Sequence, residues 1–336
     1  MTRLRSALLL TLLLALSWCP AAALAEPFRL RLPLACEPGR TCFVQHYVDH
    51  DPSAGARDHT CGSRTYDGHD GTDFRLATRA LAAREPGTVL AAAGGRVLRT
   101  RNDAEDRSLR EVGRAAVAGR ECGNGLVIAH PDGYETQYCH LAKGSVRVRP
   151  GETVTAGQPI AQVGFSGATE FPHLHLTLRR HGTVVDPFAP GLAADGCRPE
   201  AATAETVWEE PVRAALAYQA GAVLTAGFAD GPVTQDAVES EATRRPGRDA
   251  AALVAFVHAI GLDTGDVQRL TVTGPDGRVL AENQAAPLLR PRAESLLFAG
   301  RRRPPDGWAS GPYTATFRVM RAGAVAIERV FTAALP

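Results

Sequence analysis

"FPHLHLTLRR", residues 171–180, sets two histidines one residue apart inside an apolar run. In an extended chain, residues two apart face the same side. His173 and His175 therefore share one face of a strand, with Leu174 and Leu176 on the other. Two imidazoles aligned this way make poor core, because each carries polar nitrogens that need partners. A metal or a substrate site would satisfy them. Taken alone, a His-x-His pair is a weak signal, although imidazole is the commonest metal ligand.

The neighbouring segments strengthen it. "DGHDGTDFRL", residues 67–76, holds His69 and Asp73 with Gly71 between them. A histidine and a carboxylate are both good Zn²⁺ ligands, and a glycine lets a turn bring them around one ion. "QYCHL", residues 137–141, adds His140 at a strand end. Three protein ligands leave a fourth position for water, the mark of a catalytic zinc site. Two further imidazoles nearby would take a proton or hold a developing oxyanion. The parts suit metal-assisted hydrolysis of an amide.

From about residue 66 to 190 the chain reads as short strands punctuated by glycine, for example "GTVLAAAGGRVLRT", "GNGLVIAH" and "YETQYCHL". That rhythm predicts an antiparallel, mostly β fold. "GLVIAHPDGYETQYCHL" reads as a hairpin around Pro131-Asp132-Gly133, which brings Cys122 near Cys139 and predicts a disulfide between them. Residues 101–121 are charged and lack alternation, so they predict a surface insertion with a short helix. The stretch 26–65 is loop-rich, with Cys36, Cys42 and Cys61. Residues 193–212, rich in alanine, proline and acid, read as a linker. Beyond it, "ALVAFVHAI", "VQRLTVTG", "RVLAENQ", "SLLFAG", "YTATFRVMRAG" and "AVAIERVF" predict an immunoglobulin-like β-sandwich over 213–336.

The first residues set the compartment. Arg3 and Arg5 precede "ALLLTLLLAL", too short to span a bilayer comfortably, and "AALA" ends at Ala25. Residues 1–25 therefore read as a secretory signal peptide cut before Glu26. Trp18 stands before Cys19 where a lipidation signal needs a small residue. The six remaining cysteines fit an exported, oxidising location, periplasmic or extracellular; apart from Cys122–Cys139 their pairing stays open. Among 336 residues the formal net charge is +1, which offers no basic field for nucleic acid.

Several stretches together resemble the lysostaphin/LytM-type zinc metallopeptidases, which cleave peptide bonds in peptidoglycan. "HDGTD" is similar to the family's His-x-Gly-x-Asp segment, and "GNGLVIAHPDGYETQYCHL" to its central hairpin ending in Tyr-x-His-Leu. "VRPGETVTAGQPIAQVGFSGATEFPHLHL" is similar to its run ending in Pro-His-Leu-His, and "GTVVDP" to its closing segment. The resemblance covers residues 66–188 and implies a zinc peptidase domain over 66–192. It implies that His69, Asp73 and His175 bind Zn²⁺ and that His140 and His173 are the catalytic pair. Leu176 and Thr177 depart from it, standing where the family often has Phe-Glu, and the 101–121 region is enlarged.

The expectation is a secreted endopeptidase acting on peptide cross-links of bacterial peptidoglycan. It would be a monomer, with no nucleic-acid partner and no stable membrane insertion once the leader is removed. Three rival readings are an inactive activator of other wall hydrolases, a zinc protease acting on protein substrates, and a structural adaptor resting on the C-terminal sandwich. "VDHDPS", with Asp49, His50 and Asp51, reads as a plain turn, or else as a plug reaching the site. His46, His50, His59, His130, His181 and His258 read as surface or hairpin residues. Tyr66 and Tyr138 either bond near the cleft or pack, and Asn124 either positions substrate or caps the hairpin. Arg301–Arg303 read as a solvated loop.

Overall fold

The computed structural model describes residues 27–192, 196–203 and 205–335, so the leader expected over 1–25 lies outside the described residues. The first part of the chain forms β1 (Cys42–His46), β2 (Thr72–Leu76), α1 (Arg79–Arg84), β3 (Thr88–Leu90) and β4 (Gly95–Arg101). The enlarged region follows with two single-turn helices, α2 (Leu109–Val112) and α3 (Arg114–Val117). Then come β5 (Asn124–Ala129), β6 (Tyr134–Leu141), β7 (Thr153–Val154), β8 (Pro159–Gln162), β9 (His173–Arg180) and β10 (Thr183–Val184). After α4 (Glu210–Ala215), the second part has β11 (Ala222–Ala229), α5 (Gln235–Glu239), β12 (Ala252–Leu262) and β13 (Val267–Thr273). It ends with β14 (Val279–Gln284), β15 (Arg292–Arg302), β16 (Gly311–Arg321) and β17 (Ala324–Leu335).

Among the described residues, the first part is organised by one antiparallel sheet in the order β1-β2-β9-β6-β5-β4-β7, with β10 on β9. A small β3-β8 pair lies beside it. Alternation divides the labour of the two faces. Phe74 and Leu76 of β2, Leu174, Leu176 and Leu178 of β9, and Tyr138 of β6 point into the core. Asp73, His173, His175 and Thr177 hold the other face, as a period of two requires. The register puts Asp73 opposite His175, and Cys139 opposite His175 on the other side.

The loop-rich stretch before β2 is tied firmly to this sheet. β1 pairs with β2, and Leu30, Leu34 and Tyr47 are buried in the same core. Val207, Trp208 and Glu209, in the stretch expected to be a linker, are also packed or hydrogen-bonded. Trp208 is 2% exposed against Phe74 and Phe188, and Leu30 exchanges backbone hydrogen bonds with Val207 and Glu209. An indole of that size gains more from burial than the polar residues around it gain from solvent. Disulfides join Cys36–Cys42, Cys61–Cys197 and Cys122–Cys139; the last is the pair predicted across the hairpin. Cys61–Cys197 closes the longest loop, 136 residues, and so restricts the unfolded chain most.

In the second part, a three-stranded sheet β11-β12-β15 and a four-stranded sheet β14-β13-β16-β17 enclose one apolar core. Leu253, Leu270, Val272, Phe317 and Val319 lie at its centre, with no side-chain exposure to water. A second apolar patch, Phe43, Ala222, Leu224 and Ile260, joins β1 to β11 and β12.

Candidate metal centre

Three of the expected ligands converge. His69 Nε2 lies 3.2 Å from Asp73 Oδ1 and 3.1 Å from His175 Nδ1; His175 Nδ1 lies 2.9 Å from Asp73 Oδ1. Donors about 2.0–2.1 Å from one tetrahedral ion stand roughly 3.3 Å from each other, so this triangle fits a single cation. Three segments build it: the turn before β2, β2 itself and β9. Gly71 makes the approach possible. A Cβ there would lie 2.7 Å from His175 Nε2 and 2.7 Å from the Leu176 carbonyl oxygen.

Each member is held from behind. His69 Nδ1–H donates to the Tyr47 carbonyl at 2.6 Å, which leaves Nε2 as the lone pair facing inward. His175 Nε2–H donates to Asp70 Oδ1 at 3.1 Å, with the Thr177 hydroxyl 3.0 Å away. His46 Nδ1–H donates to Asp73 Oδ2 at 2.9 Å. Such outer partners fix tautomer and ring orientation in metal sites. At Thr177, where the resembling family often has glutamate, the carboxylate beside His175 comes instead from Asp70. Arg179 holds that carboxylate at 2.7 Å.

The electrostatics suit a cation. Burial would raise Asp73, but the charges of His69 and His173, with hydrogen bonds from His173 and His175, hold it well below the usual carboxylate range. Burial would lower His175, but Asp70 and Asp73 outweigh it and push the imidazole up to about 9. A proton and a metal ion thus compete for the same inward lone pair, so binding an ion displaces a proton.

His140 and His173 stand beside this triangle, their ring centroids 4.6 Å apart. His140 Nδ1–H donates to the Ser166 carbonyl at 2.8 Å. The residue has φ +60°, at the end of β6 where the register with β5 shifts. That left-handed kink turns the ring out of the ladder. Burial first, then the charges of His173 and His175, keep His140 well below its ordinary value, so it is a neutral base. His173 Nδ1–H donates to the Phe171 carbonyl at 2.9 Å, and Nε2 lies 3.4 Å from Asp73 Oδ1.

Other expectations meet different fates. His46, read as a surface or hairpin residue, braces Asp73. His50, His59, His130 and His258, read the same way, are 6%, 1%, 8% and 0% exposed, and each has an acceptor or carboxylate close by. Burial was affordable there because each ring meets a specific partner from a distant segment. His181 is exposed as expected. Asp49, His50 and Asp51 form a turn: Asp49 accepts from the Asp51 and Arg57 amides, and His50 bonds Asp186. Tyr66 is half exposed with its ring 4.4 Å from that of His69, and burial together with Asp73 and Asp70 raises its hydroxyl pKa. Tyr138 is core, its hydroxyl accepting from the Ala92 amide. Asn124 is structural, bonded to Ala104 and Leu141. The enlarged region lies against the loop before β9: the Leu109 amide donates to the Thr169 carbonyl and Arg110 pairs with Glu170.

Residues 67–187 match Peptidase family M23. That segment is similar to an M23 peptidase domain. Over 70 residues the chain is 42% identical to the peptidoglycan DD-endopeptidase ShyB of Vibrio cholerae, covering 21% of this chain and 16% of that protein. Over 81 residues it is 35% identical to the cell division protein DipM of Caulobacter vibrioides, covering 23% of this chain and 13% of that one. The match thus spans less than a fifth of these curated relatives. Among solved structures, the catalytic domain of lysostaphin from Staphylococcus simulans aligns at 22% identity with a TM-score of 0.27. That alignment covers 42% of this chain and 85% of the lysostaphin domain. No helix among the described residues is long and apolar enough to cross a membrane.

Proposed function

We propose that the chain is an exported zinc endopeptidase that hydrolyses peptide cross-links of bacterial peptidoglycan. His69, Asp73 and His175 would hold the ion. The observation that carries the reading is their convergence, each with an outer partner, in a segment that matches Peptidase family M23. The donor set of two imidazoles and one carboxylate, with a fourth position left over, fits catalytic zinc. When bound, Zn²⁺ supplies a Lewis acid that acidifies water and polarises a carbonyl.

The chain's own groups do the rest. His140, neutral and anchored through Nδ1, accepts the proton of the attacking water at Nε2. The same nitrogen returns it to the leaving amine. His173, anchored through Nδ1 with Nε2 facing Asp73, is placed to steady the oxyanion of the tetrahedral intermediate. Fixing both rings by backbone carbonyls means little reorganisation is needed when charge develops. Tyr66, half exposed beside His69, offers a face for substrate at the mouth.

The substrate class rests on the likeness to a protein named as a peptidoglycan DD-endopeptidase. The three disulfides support an oxidising, exported location, and no nucleic-acid role is proposed. For the second part of the chain we propose an immunoglobulin-like sandwich. Its seven strands pair first-second-fifth in one sheet and fourth-third-sixth-seventh in the other, around one core, which supports that reading.

The test is digestion of purified sacculi by the mature protein, with mass spectrometry of the released fragments. The reading predicts cleaved peptide cross-links and no release in the presence of a chelator. Unchanged sacculi alongside cleavage of ordinary protein substrates would move the activity to the protein-directed alternative. Unchanged sacculi with no cleavage of any peptide would favour the activator.

A further inference from the structure

A second cluster of buried titratable groups lies where the C-terminal sheets meet β2. Arg75 is 1% exposed and stands opposite His173 in the register. Its Nη2 donates to Glu239 Oε1 at 2.9 Å, and Nη1 to Glu294 Oε1 at 2.6 Å and Gln45 Oε1 at 3.2 Å. Nε donates to the Leu76 carbonyl. Both carboxylates come from the C-terminal part, Glu239 at the end of α5 and Glu294 on β15. His258 of β12 lies between them, with Nδ1 3.6 Å from Glu239 Oε1 and Nε2 3.2 Å from Glu294 Oε2.

Glu239, His258 and Glu294 lie close enough to hold a metal, but the details argue otherwise. The carboxylates meet opposite ring nitrogens, so no single histidine lone pair serves both. Arg75 is already a permanent cation on both carboxylates. Burial would raise Glu294, yet His258 and Arg75 push it down to about 2.

The other face of the guanidinium gives the cluster its meaning. Arg75 Cζ lies 4.6 Å from the centroid of the Phe171 ring, and that ring lies 4.6 Å from the His173 ring. The Phe171 carbonyl is the group that accepts from His173 Nδ1. A continuous run of contacts therefore leads from Glu239 and Glu294 through Arg75 and Phe171 to His173.

We propose that Arg75 is a positioning residue for His173, and that Glu239 and Glu294 of the C-terminal part hold it in place. This rests on the role given to His173 above. On this account the C-terminal part is a brace for the catalytic strand and not a tethered module. Its docking is extensive: Thr78 and Arg84 bond Glu241, Arg79 pairs with Asp236, the Arg79 amide donates to Glu239, and Gln45 donates to the Ala293 carbonyl.

The test uses the full chain carrying Arg75→Lys, and a triple variant with Arg75→Met, Glu239→Gln and Glu294→Gln. The triple variant removes the charges together, because stripping one partner alone would leave buried charge unpaired. Zinc content, thermal melting and steady-state cleavage of a purified muropeptide are measured on the same samples. The proposal expects full zinc, a cooperative melt, KM within about twofold and kcat lower by about tenfold to a hundredfold. Arg75→Lys, which keeps the charge and loses the flat stacking surface, should fall in between. Should the triple variant not fold, Arg75→Lys and Glu294→Gln carry the test. A folded, zinc-loaded variant with wild-type kcat would overturn the proposal. The imidazole NMR signals of His173 and His69 give a readout independent of turnover. The variants should move the first and leave the second, and an unmoved His173 signal would also overturn it. A wild-type chain that cleaves nothing would instead sink the hydrolase reading.

Discussion

At the scale of single residues, the role proposed for His140 separates binding from turnover. It lies outside the triangle of His69, Asp73 and His175 and bonds only backbone through Nδ1. His140→Ala is predicted to keep its zinc and lose about 10²–10⁴-fold in kcat, checked by metal analysis and kinetics on one preparation. Gly71 acts by what it lacks. With a Cβ 2.7 Å from His175 Nε2, Gly71→Ala should push the ring off its Asp70 partner and weaken zinc affinity by about tenfold to a hundredfold in a competition titration. Much of this site was legible. His-x-His on a strand, with His69, Asp73 and His140 in order, named the five residues that the fold brings together. The outer partners were not legible. Asp70 is 105 residues from His175 and Arg75 is 219 from Glu294, and such pairs leave no periodic trace in sequence.

At the scale of elements, a buried acid ties loop to sheet. Asp186, just after β10, faces His50 at 3.0 Å and His59 at 3.4 Å. Burial would raise it, but hydrogen bonds and charge from both histidines push it down to about 2 from 3.8. A depressed carboxyl stabilises the fold above its unfolded value and loses that contribution as pH falls through its folded value. Melting temperature should therefore fall between about pH 4 and about pH 2, and Asp186→Asn should flatten that slope. A slope unchanged by the substitution would contradict the assignment. The sequence placed most strands because alternation and turn residues mark them. It passed over β11, "AVLTAGFA", whose small residues give weak contrast between faces. It read 193–212 by composition, and composition hides a single buried Trp208.

At the scale of the whole molecule, the two parts are bound by charge and apolar contact together. Ending the chain after Gln219 would leave Arg75 without Glu239 and Glu294 and uncover Phe43. Losing those ion pairs and the apolar cover over Phe43 destabilises what remains. The truncated chain is predicted to be less stable in denaturant and inactive on sacculi, whereas a merely tethered C-terminal module would leave both properties intact. The antiparallel, mostly β character of the second part was legible from its strand spacing. Its docking on β2 was not, because the residues that join the parts look in sequence like ordinary surface charges.

The most direct test of the account is zinc stoichiometry by elemental analysis on the folded wild-type chain and on His69→Ala, Asp73→Ala and His175→Ala. The account predicts about one zinc per wild-type chain and almost none in each variant, all remaining folded through the disulfides and the shared core. Full zinc retained by any one of the three folded variants would contradict it.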